Sequence, residues 1–100
     1  MQTTHRPTTP LDKVTLAAAL FATAGRHRLA GRSAALHSLA ACAALGIDTG
    51  PVPPVPDHPG PDILITRALR ALGELDAADF DQPAVVQAAR HGRRALIAVR

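Results

Sequence analysis

Aromatic side chains are nearly missing from this sequence, which has no Trp, no Tyr and only two Phe, at positions 21 and 80. Almost no flat surface is left on which single-stranded bases could stack. Cysteine is as scarce. The one thiol, Cys42, has no partner for an intramolecular disulfide and no second cysteine with which to make a C-x2-C metal site. Nothing therefore points to an oxidising compartment, and the cytoplasm is the default. No apolar run reaches the ~18 residues of a membrane-spanning helix. The apolar stretch from Val14 to Ala24 does have the length of a signal-peptide core and ends in Ala22-Thr23-Ala24, so secretion with cleavage after Ala24 is the alternative. Asp12 beside Lys13 and the prolines at 7 and 10 argue against it.

Charge is modest too. Charged residues make up 19% of the chain, and the net charge is +3. Ten of the eleven basic residues are Arg, so the high isoelectric point reflects permanently protonated guanidinium groups more than a large basic excess. Contact with nucleic acid is expected to be weak.

What the chain does have is alanine. Apolar residues amount to 47%, but 21 of the 100 residues are Ala. A chain this long is expected to make one domain that buries roughly two-thirds of its unfolded surface. Full burial of a Leu or Ile contributes roughly 1.5 to 3 kcal/mol and alanine far less, so the core must be thin and rest on a few large side chains. Self-association is a natural way to enlarge such a core.

Hydrophobic period predicts an all-α fold: a compact bundle of four short helices at about 11–24, 33–45, 63–75 and 83–99, in two pairs joined by a proline-rich connector over 48–62. Residues 1–10, with two prolines and four threonines, read as a disordered arm. In the first helix Leu11, Val14, Ala18 and Phe21 share a face, while Leu16 and Leu20 lie opposite. Such a helix asks for cover on both sides. The second starts with Ser33 as N-cap, gathers Leu36, Leu39, Ala40, Ala43 and Ile47 into one arc, and stops at Gly46. The connector holds six of the nine prolines, a density that only extended backbone accommodates. The third, capped by Asp62, carries the stripe Ile65, Ala68, Leu69, Leu72 and Leu75. An acidic turn (Glu74, Asp76, Asp79, Asp81) leads to the fourth, opened by Pro83 after Asp81 or Gln82. Its stripe is Val85, Ala88, Ala89, Leu96 and Val99. Gly92 either weakens this helix or lets a neighbour come close.

No motif builds a catalytic, cofactor or metal site. Asp48-Thr49-Gly50 is the triplet of aspartic proteases, but that chemistry needs it on a loop of a β-rich dimer, whereas here it joins a helix stop to a proline run. Turn geometry is the simpler role. Gly25 to Ser33 reads G-x5-G-R-S, one residue too long for a phosphate loop and lacking its lysine and preceding strand. The five histidines show no metal-ligand spacing. Ser33 and His37 share a helix face with nothing to complete a triad, and Cys42 lies about 140° around the helix from His37.

The basic side chains form the candidate contact surface. Arg26, Arg28 and Arg32 precede the second helix, Arg67 and Arg70 lie on the third, and Arg90 and Arg94 lie on the fourth. The reading that follows is a small non-enzymatic helical interaction module, with regulation as one role open to it, that acts through a protein partner or self-association. The alternative is a DNA-binding regulator using the Arg clusters 26–32 and 90–94. The gap between the third and fourth helices is too long and too acidic for a helix-turn-helix.

Overall fold

The computed structural model describes residues 10–50 and 54–99. Among the described residues five helices follow in chain order: α1 (Pro10–Gly25), α2 (Arg32–Leu45), α3 (Pro61–Gly73), α4 (Ala77–Phe80) and α5 (Pro83–Val99). There is no strand among the described residues, so the fold is all-α. The expected arm lies outside them except for Pro10, which opens α1, and so do residues 51–53 of the connector.

The four long helices form a ring. α1 packs on α2 and α3, and α5 packs on the same two from the other side. The expected pairs therefore interleave, because the connector carries α3 and α5 back alongside α1 and α2. α1 and α3 run antiparallel, since Lys13 near the start of one meets Glu74 at the end of the other, Nζ to Oε1 3.7 Å. α2 and α5 are antiparallel as well. His37 stacks on His91, ring centroids 6.1 Å apart, while Ala44 shares a groove with Pro83, Ala84 and Gln87.

One core runs through the ring, and its largest fully buried side chains are Phe21, Ile65 and Leu72. The expected stripes of α3 and α5 are their inward faces: Ile65, Ala68 and Leu72 on one, Val85, Ala88 and Ala89 on the other, with Leu69, Leu75, Leu96 and Val99 half-buried against them. Gly92 lies where a neighbour comes close. A Cβ there would sit 2.8 Å from both Leu69 Cδ2 and Phe21 Cζ. α1 supplies Ala17, Ala18, Phe21 and Ala24 to the core, whereas Leu11 and Leu16 stay exposed. Cleavage after Ala24 would remove this whole contribution.

Three expectations need correction. The second helix is turned round: Ala34, Ser38, Ala41 and Leu45 are its buried face, and the Leu36–Leu39–Ala43 side looks outward. Small side chains let the backbones of α1 and α2 approach, so that Gly25 has Leu39 and the Ala35 carbonyl against it. The helix caps are glycines: Gly31, at φ 79°, precedes α2 and Gly60 precedes α3, placing Ser33 and Asp62 inside the first turns. A conformation at positive φ suits glycine over serine. Gln82 does open α5, its carbonyl accepting from the Val85 and Val86 amides. The acidic turn also contains a helical turn, α4, which Asp76 begins and which brings Phe80 down onto the core.

The connector is pinned rather than free-standing. The buried His27 ring accepts a hydrogen bond at Nδ1 from the Leu29 amide (3.1 Å), so its Nε2 carries the proton and donates to the carbonyls of Asp57 (3.1 Å) and Pro59 (3.2 Å). Arg28 adds a two-pronged contact to the Asp57 carboxylate at 2.7 and 2.6 Å.

Candidate interaction surface

α1, α3 and α5 show charge to solvent along their length, with Asp12 on α1, Arg67 and Arg70 on α3, and Arg90, Arg93 and Arg94 on α5, whereas α2 has an exposed charge only at its first residue, Arg32. From Ser33 to Ile47 no residue is formally charged. The outward side of α2 is apolar, with Leu36 62% exposed, Leu39 40% exposed and Ala43 open beside them. At 100° per residue Leu36 and Ala43 lie about 170° from the middle of the buried Ala34–Ser38–Ala41–Leu45 line, and Leu39 lies about 130° from it, on the flank that meets Gly25 of α1. An open groove of about 330 Å³ lies between Ala44 and the start of α5, about 100° around α2 from this face.

The basic residues separate into two regions. Arg67 and Arg70 line a groove of about 320 Å³ between α1 and α3, with Leu16, Leu20, Ala71 and Glu74. Neither has an ion-pair partner among the described residues. The antiparallel pairing of α2 with α5 puts the start of α2 level with the end of α5, so Arg26 and Arg32 share one end of the molecule with Arg93 and Arg94. All four are exposed, as is Arg90. Arg28 is the exception. Its guanidinium is committed to Asp57, which holds it protonated still more firmly and holds the Asp57 carboxyl below the ordinary carboxylate value, chiefly through their hydrogen bonds.

The sequence motifs find structural employment. Asp48 Oδ1 accepts the Gly50 amide at 2.8 Å, an Asx-turn with Gly50 at φ 69°. His37 stacks on His91 and Ser33 is exposed. Burial raises the Cys42 thiol pKa, which disfavours the thiolate that nucleophilic or metal chemistry needs. Among the described residues no group of three or more His, Cys, Asp or Glu is placed to hold a metal, and no helix is long and apolar enough to cross a membrane.

Sequence reasoning missed Leu36, Leu39 and Ala43 as surface residues because they form the more apolar of two possible faces. A usable mark was present in the uncharged stretch from Ser33 to Ile47, since a solvated helix face ordinarily carries charge. Comparison with protein-family models, curated proteins and solved structures finds no match to this chain.

Proposed function

We propose that this chain is a small non-enzymatic helical interaction module that acts through a protein partner or a second copy of itself, and that the outward face of α2 is its contact surface. The observation that carries this reading is the exposure of Leu36, at 62%, on a helix face that has no charged residue after Arg32 at its start. Full burial of a leucine contributes roughly 1.5 to 3 kcal/mol, so an alanine-rich chain with few large side chains forgoes much by leaving Leu36 and Leu39 in water. A covering partner recovers that free energy. Placing a photo-crosslinking amino acid at position 36 in the native cell tests the reading, with exposed Thr15 on α1 as the control position. Position 36 is expected to yield a protein adduct and position 15 none; no adduct from position 36 rejects the module.

A second reading, a DNA-binding regulator, is favoured by the placement of Arg26, Arg32, Arg93 and Arg94 at one end of the molecule. Under it, replacing Arg90 and Arg94 by Ala weakens binding to one particular sequence in a gel shift with competitor DNA.

A further inference from the structure

We propose that the occupant of the α2 face is a second copy of the chain, its α2 laid antiparallel across a two-fold axis that passes between positions 39 and 40. This rests on the reading of α2 as the contact surface. Charge is the first argument. The face has no charged residue from Ser33 to Ile47, so a charged partner finds nothing to pair with over the Leu36–Ala43 stretch; its one charge, Arg32, lies a turn before Leu36 at the edge of the overlap and stays in water when an identical face covers the rest. Another exposed apolar site, the α1–α3 groove with Leu16, is rimmed by Arg67 and Arg70 and would favour an acidic partner instead, while Leu11, Leu29, Ile63 and Ile97 are exposed on other elements.

Shape is the second argument. The exposed face has a large residue, Leu36, towards its start and a small one, Ala43, about 10 Å further along. A parallel pairing sets leucine against leucine at one end and leaves a gap between alanines at the other. An antiparallel pairing seats each Leu36 over the Ala43 of the other copy at both ends. Near the axis the two Leu39 side chains meet on one flank, and the two Ala40 residues allow close approach on the other. The pairing is isologous and closes on itself, so it gives a dimer and not a filament.

A face 14 residues long spans about 21 Å, short of the ~800 Å² per partner of a standard interface, so the dimer belongs to the weak class with a dissociation constant of about 1 to 100 μM. Sedimentation equilibrium of the full chain from about 1 to 500 μM tests this, because that range brackets the constant. The mass is expected to rise from monomer to dimer. Leu36→Glu and Ala43→Glu each keep the helical circular dichroism, since both positions are exposed and Glu is a good helix former, and each raises the dissociation constant about tenfold to a hundredfold. The double variant Leu36→Glu, Ala43→Lys restores dimerisation relative to Leu36→Glu alone, because only the antiparallel register sets the new carboxylate of one copy against the new ammonium of the other. A dimer indifferent to both single variants, or a double variant no better than Leu36→Glu, overturns the proposal. So does a wild-type chain that stays monomeric throughout. In that case a crosslink from position 36 to a different protein leaves the interaction module standing and only the second copy rejected, whereas no crosslink rejects both.

Discussion

Ser38 and Gly92 show how little slack the ring of helices has. Ser38 is fully buried on α2, and its hydroxyl has no hydrogen-bond partner. An unsatisfied buried polar group costs about 1 to 3 kcal/mol, and alanine is the better helix former. Ser38→Ala is therefore expected to stabilise the fold by about 1 kcal/mol, seen as a higher urea midpoint at unchanged slope. A drop in the midpoint would mean that the hydroxyl is satisfied. Gly92 gives the opposite sign. Alanine in mid-helix ordinarily gains up to about 1 kcal/mol over glycine, but here the added methyl meets the fully buried Phe21 ring, and overpacking costs about 1 to 3 kcal/mol. Packing wins, so Gly92→Ala is expected to lower stability by about 1 kcal/mol in the same titration. From the sequence both explanations of this glycine were open, because the contacts that decide between them come from α1 and α3, more than 20 residues away.

At the level of elements, α3 and α5 were legible because each has a single apolar stripe with Arg on the opposite side, so period and partition agree. α2 has two candidate faces. Period alone selects the one with more leucine, whereas the fold selects the one whose alanines let α1 and α5 come near. α4 escaped notice because four residues are too few to show a period. The connector's extension follows from its prolines, but its attachment to the α1–α2 turn depends on His27 and Arg28, about 30 residues away, which no local pattern announces. That attachment is pH-dependent. Hydrogen bonds from Arg28 hold the Asp57 carboxyl below its ordinary value of about 3.9, so the folded chain binds fewer protons there than the unfolded one. The contribution is present above about pH 4 and is lost as the pH falls through the lowered value. Both side chains are largely exposed, so the effect is small and screened by salt. Thermal melts of wild type and Asp57→Asn should differ near neutral pH and converge on acidification; a constant gap down to about pH 2 would show that this pair plays no part in the acid response.

Over the whole molecule, the distribution of charge separates the interaction module from the DNA-binding alternative. In the sequence the acidic run Glu74, Asp76, Asp79 and Asp81 sits just before the Arg-rich helix and looks as though it cancels that helix locally. The fold weakens that cancellation. From its start at Pro83, two residues after Asp81, α5 rises about 16 Å to Arg94, about two screening lengths of ~8 Å at physiological salt. The far end of the molecule, with Arg26, Arg32, Arg93 and Arg94, is thus a small positive surface in its own right, while Arg28 is withheld by Asp57. Four arginines in contact with four phosphates would give a salt slope of about −3.6, so duplex affinity should fall about a hundredfold between 50 and 200 mM salt. Without further base-reading contacts the loss should be the same for random and genomic DNA, leaving nonspecific binding that fades near physiological ionic strength. A filter-binding titration of both DNAs at the two salt concentrations measures the slope and the preference together. A shared slope near that value identifies the Arg end as an electrostatic surface and leaves the α2 face as the specific contact. A preference for one sequence that persists at the higher salt, and is lost with Arg90→Ala and Arg94→Ala, would transfer the biological role from α2 to the arginines.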